Sequence, residues 1–163
     1  MIDADTGNIH LPNGYVITPA LTLDEFQRSE LSQKAIAHCS DNLQAQCWFE
    51  ADAGVLELRS VLASVRFREQ EVFTVDLSLL ETCYFGDSIA GYFVTERNTK
   101  AFHEALLKRN LGEANCFTKT NCNEPGLDEE PNYLLPWGKI VSGFDWGAGN
   151  AYISIEYKND KAL

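Results

Sequence analysis

The chain has 163 residues and carries 24 acidic against 13 basic side chains, a formal net charge of -11. With 45% apolar and 11% aromatic residues it can build a core, so the acidity belongs to one folded domain spanning residues 1–163 and not to a disordered tail. A surface of that sign repels phosphate, and the longest basic feature is Lys108-Arg109, which excludes nucleic acid and anionic membrane as expected partners and favours a cationic protein surface.

The start of the chain lacks a basic segment followed by an apolar one, and no apolar run approaches the ~20 residues that span a bilayer, so a cytoplasmic location is expected. The five cysteines, Cys39, Cys47, Cys83, Cys116 and Cys122, contain no C-x-x-C pair, and reduced, mostly buried thiols are the expectation.

Ile9-His10-Leu11 and Tyr15-Val16-Ile17 flank Pro12-Asn13-Gly14, turn chemistry that predicts an opening β-hairpin, because Asn-Gly tolerates positive φ. Thr22-Leu23-Asp24-Glu25 predicts a capping box and a short helix from Leu23, with Leu21 and Phe26 at the staple positions, that either stops near Ser29 or continues irregularly. From Gln46 to Leu80 the apolar period is two. Strands are predicted over Cys47–Ala51, Val55–Arg59, Val61–Arg68 and Val72–Leu79, with turns at Gly54 and Glu69-Gln70-Glu71. One face of this meander, holding Thr74, Asp76 and Ser78, should be wet, and Trp48 is expected as a core anchor beside Phe49.

Asn98 or Thr99 is the expected cap of a second helix running to about Asn110, stopped by Gly112. Residues 113–136 read as a long connection, with Glu124, Asp128, Glu129 and Glu130 set among Pro125, Gly126 and Pro131 as an acidic loop, and Tyr133 to Trp137 tucked onto the sheet. Lys139–Phe144 and Tyr152–Tyr157 bracket Asp145-Trp146-Gly147-Ala148-Gly149-Asn150 as a closing hairpin. The fold class is therefore α+β: an antiparallel meander with terminal hairpins and about two helices on one face.

Gly143, Gly147 and Gly149 precede a strand and lack a following Lys-Ser/Thr, so they do not make a phosphate loop. The three histidines are scattered; His38 and Cys39 are adjacent and point apart, and His103 is expected on the surface. No catalytic, metal or cofactor site is expected. Trp146, in a glycine-rich turn beside Asp145, has little core to enter and suits contact with a cationic partner.

Leu11 to Pro19 with Leu21 to Ser29, and Trp137-Gly138-Lys139-Ile140-x-Ser142-Gly143-x-Asp145 with Tyr152-Ile153-x-Ile155-x-Tyr157, resemble small bacterial immunity proteins of polymorphic toxin and contact-dependent growth inhibition systems. The resemblance implies an α+β antitoxin without enzymatic activity, a monomer that binds one cognate effector domain, often a basic nuclease, and blocks it. It carries no site residues with it. From charge and exposure alone, the expected contact surface is Glu124, Asp128, Glu129, Glu130, Asp145 and Trp146, with association slowed by salt. The competing expectations are a ligand-binding or enzymatic domain with a pocket lined by Tyr84, Tyr92 and Trp48, and an effector chaperone, which would pair through helices.

Overall fold

The computed structural model describes residues 1–39, 46–80, 89–120 and 123–158. These form a two-stranded hairpin, three helices and an eight-stranded antiparallel sheet. The hairpin is β1 (Ile9–His10) and β2 (Val16–Ile17), with Ile9 opposite Ile17. Gly14, at φ 89°, makes its turn possible.

The capping box forms as its residues require: the Thr22 hydroxyl accepts from the Glu25 N–H, and the Glu25 carboxylate accepts from the Thr22 N–H. Helix α1 (Leu23–Gln27) ends there, and Ser29 caps a further turn, α2 (Glu30–Gln33). Phe26 is fully buried, its ring centroid 5.0 Å from that of Phe49 and 5.3 Å from that of Phe67.

The sheet is two meanders joined side by side. Strands β3 (Ile36–Cys39), β4 (Gln46–Leu56), β5 (Arg59–Arg68) and β6 (Glu71–Leu80) form the first. Strands β7 (Cys116–Lys119), β8 (Glu129–Leu135), β9 (Gly138–Asp145) and β10 (Asn150–Tyr157) form the second. Their order is β3-β4-β5-β6-β10-β9-β8-β7, so the last strand closes the gap between the halves. Helix α3 (Ile89–Leu111) connects the halves and packs on β10, β9 and β6.

Four expectations are corrected here. Gly54 is not a turn but a bulge inside one long strand β4, its N–H taken by the Asp52 carboxylate at 2.8 Å. The turn lies at Glu57-Leu58, both in the left-handed region with φ 48° and 67° and without the Gly or Asn that announces such turns. A second bulge pairs Phe67 with Val72, so Val72 enters the core where unbroken alternation from Val75, Leu77 and Leu79 would put Phe73, whose ring instead lies under the Arg68 guanidinium at 4.6 Å. Helix α3 begins nine residues before Asn98, which leaves both expected caps in its interior. Finally, Cys116–Lys119 and Glu129–Leu135 are strands within the expected loop. Pro131 is tolerated because the β8–β9 ladder begins only at Asn132.

The core lies on a single face of the sheet. Val61, Ala63, Val65 and Phe67 of β5, Val75, Leu77 and Leu79 of β6, and Ile153 and Ile155 of β10 meet Ile9, Ile17, Phe26, Leu106 and Leu107 from the hairpin and helices. The N-terminal segment is tied to the last strands: the Trp137 indole N–H donates to the Ala4 carbonyl at 2.8 Å, and the Tyr157 hydroxyl donates to the Gly7 carbonyl at 3.0 Å. Every described helix and the β1–β2 hairpin pack on this face, and the opposite face carries no described helix.

Candidate functional site

The side chains of the face without a described helix follow from strand alternation, which turns every second residue away from the core. Two rows run across the sheet in register. One is Ile36, Glu50, Ser64, Asp76, Ser154, Val141 and Asn132; the next is His38, Trp48, Arg66, Thr74, Glu156, Lys139 and Leu134. The centre of the face is small and hydroxylated, with Ser64, Thr74, Ser78 and Ser154, and larger side chains stand around it. The result is a hollow of about 650 Å³ lined by four acids, Glu50, Asp76, Asp145 and Glu156, and by one base, Arg66.

One ion pair, and a histidine close to a second acid, stand within this charge. The Arg66 guanidinium is 3.0 Å from the Asp76 carboxylate, and His38 Nε2 is 3.4 Å from the Glu50 carboxylate. The His38 ring also stacks on Trp48, with centroids 4.9 Å apart. Trp48 is therefore not a core anchor: Phe49, its neighbour, takes the core position, and Trp48 is 38% exposed beside the hollow.

Tyr152 stands in this face opposite Gly143. A Cβ at Gly143 would come within 2.6 Å of the Tyr152 hydroxyl and 2.8 Å of a Glu130 carboxylate oxygen, so the glycine makes room for the ring to lie beside that acid. Burial pushes the Tyr152 hydroxyl up to about 12, and the negative charges of Glu130, Asp76, Asp145 and Glu156 push in the same direction. Burial likewise raises the Glu130 carboxyl, against the pull of Lys100 and Lys139.

The six residues expected as a contact surface do not form one patch. Glu129 and Glu130 are consecutive in β8 and so face opposite ways. Glu130 lies with Tyr152 on the face without a described helix, and Asp145 lines the hollow while its Oδ1 accepts the Gly147 and Ala148 N–H groups at 2.7 and 3.1 Å. Asp128 and Glu129 line a separate hollow on the helix side, together with Lys100, Glu104, Lys108 and Glu113. There two of the four acids are paired: Lys100 pairs with Glu104, and Lys108 with Glu113 at 2.6 Å. Glu124 is half-buried in the preceding turn, where its carbonyl accepts the Leu127 N–H at 3.0 Å. Trp146 is 51% exposed and meets Phe144 edge-on, in keeping with its expected exclusion from the core.

His103 is a further correction. It is fully buried, and its Nε2 accepts the Leu79 N–H at 3.3 Å, so it joins α3 to the end of β6. Burial lowers its pKa to about 3, Arg59 and Lys100 adding to the shift while the nearby Tyr152 backbone opposes it. Sequence reading missed it because the buried stripe of α3, Thr95, Thr99, Lys100 and His103, is polar until Leu106 and Leu107.

Cys47 is disulfide-bonded, against the expectation of reduced thiols, and the β3–β4 register sets Cys39 opposite it. Cys116 is a free, exposed thiol. No described helix is long and apolar enough to cross a membrane. Among the described residues no cluster of His, Cys, Asp and Glu is arranged to hold a metal. Of the pocket proposed for a small ligand, Tyr84 lies outside the described residues, Tyr92 is in α3 and Trp48 is on the far side of the sheet from the core. An apolar cavity between the hairpin, α3 and the sheet measures about 30 Å³, the scale of one water molecule.

Comparison of the chain with protein families, with curated proteins and with solved structures gives no match.

Proposed function

We propose that the protein is an immunity protein that binds a cognate, basic toxin domain in a 1:1 complex and occludes its working surface, with no reaction of its own. The observation that carries this reading is the concentration of carboxylates and aromatics on a broad sheet face without a described covering element. Such a face offers charge complementary to a nuclease groove, and opposite charge both accelerates encounter and occupies the surface meant for phosphate. The sequence resemblance to immunity proteins points the same way.

The chain is expected to protect cells from the toxin domain encoded beside its own gene. Co-expression from separate inducible promoters should restore plating efficiency to that of cells without toxin. Undiminished killing, with the chain present in soluble form, would refute the reading.

A further inference from the structure

We infer that the sheet face without a described helix, floored by Ser64, Asp76 and Ser154 and walled by Trp48 and Tyr152, docks an arginine-bearing segment of a protein partner. The inference deepens the immunity reading, on which it relies for the partner's role but not for the surface.

Charge decides the sign of the occupant. Four carboxylates line the hollow against one guanidinium, and that guanidinium is already paired with Asp76. Glu156 stands across from Thr74 and Lys139 and makes no ion pair among the described residues. The helix-side hollow, which also holds four acids, has two lysines, both in ion pairs, and so carries one negative charge fewer than the sheet hollow. The sheet face is therefore the stronger site for a cation.

Shape and chemistry favour arginine over lysine. Trp48, stacked on His38, presents an aromatic surface, and the Tyr152 ring lies beside Gly143 among acids. A guanidinium stacks on such rings while donating to carboxylates and hydroxyls in its own plane, whereas a lysine ammonium is a compact, strongly hydrated point charge. The serine and threonine floor leaves room for the side chain and adds acceptors. A folded partner contributes such groups from a loop that enters the hollow, and an extended peptide samples the same contacts.

The probe is a nona-arginine peptide titrated into the isotopically labelled protein and followed by amide and indole NMR shifts, with nonalysine and nonaglutamate as controls. Shifts should concentrate at Ser64, Asp76, Ser154 and Glu156 and on the Trp48 indole. The double variant Glu50→Lys, Glu156→Lys should lose tenfold or more in affinity, and Asp128→Lys, Glu129→Lys should stay within twofold of the parent, the spectra showing that both remain folded. Shifts centred on residues 124–130, or equal losses in both variants, would overturn the surface. Equal binding of nonalysine would overturn the arginine assignment. Because the peptide is not a toxin, a silent titration refutes this docking surface and leaves the immunity reading to the growth experiment.

Discussion

Phe26→Ala is expected to cost the fold about 3–5 kcal/mol, the range for truncating a fully buried phenylalanine. Phe26 is the one fully buried side chain of α1, with Leu23 partly buried against the same core, and it meets both Phe49 of β4 and Phe67 of β5. Its loss removes the apolar area and leaves a cavity between two rings that are themselves held by the sheet, so collapse to fill the space is limited. Tilted aromatic pairs add about 0.5–1.5 kcal/mol beyond burial. For a chain of this size each kcal/mol lowers the melting temperature by about 2–4 °C, which predicts a fall on the order of 10 °C in calorimetry. Phe26→Leu, which keeps most of the volume, should lose less than half as much. An alanine variant melting within 2 °C of the parent, about the shift of 1 kcal/mol or less, would show that α1 is not anchored as described.

Acid should destabilise the protein already between pH 7 and pH 5, before most carboxylates titrate, and His103 is the cause. Its folded pKa, about 3, lies below the ordinary value of 6.5, because the imidazole is sealed between α3 and β6 and faces the positive charges of Arg59 and Lys100. The unfolded chain therefore binds a proton that the folded chain refuses. The contribution is complete above pH 6.5 and declines as the pH falls towards 3, at about 1.4 kcal/mol per unit in the middle of that window. Between pH 7 and pH 5 this amounts to about 2 kcal/mol. His103→Gln keeps a side-chain acceptor for the Leu79 N–H and removes the titration. Urea unfolding of the variant should show a slope against pH shallower by that amount, whatever its absolute stability. Parallel slopes for parent and variant would mean that His103 protonates in the folded state.

Where structure is decided locally, the sequence is readable. Thr22 and Glu25 need only each other to form the capping box, and Asn13-Gly14 needs only its own backbone freedom to turn the hairpin. The alternation in β5 and β6 likewise marks an apolar face and a wet one before any packing is known. What escapes reading depends on distant partners. The bulge at Gly54 brings Ala53 to the Asn13 N–H of the opening hairpin at 3.0 Å, a contact across forty residues. The first turns of α3 bury Thr95 and Thr99 against strands formed later in the chain, so their polarity hides the helix. Glu129 and Glu130 read as loop by composition, and only pairing with Lys119 and Thr118 makes them strand.

The candidate surface divides along the same line. The acids of the late chain were legible as surplus charge, but their strand setting sends Glu129 and Glu130 to opposite sides. Glu50, Asp76 and Glu156 lie far apart in sequence, each alternating with core residues, and they share a hollow because β10 is inserted between β6 and β9. A wet face is visible in one strand; its width, and the absence of a described helix over it, are properties of the whole sheet.

Association kinetics across ionic strength test the account most directly. With the purified toxin domain immobilised, raising salt from 50 to 500 mM should cut the association rate about tenfold or more and change dissociation by no more than about threefold, as for encounter steered by opposite charge. No binding at low salt, or a salt effect confined to dissociation, would contradict it.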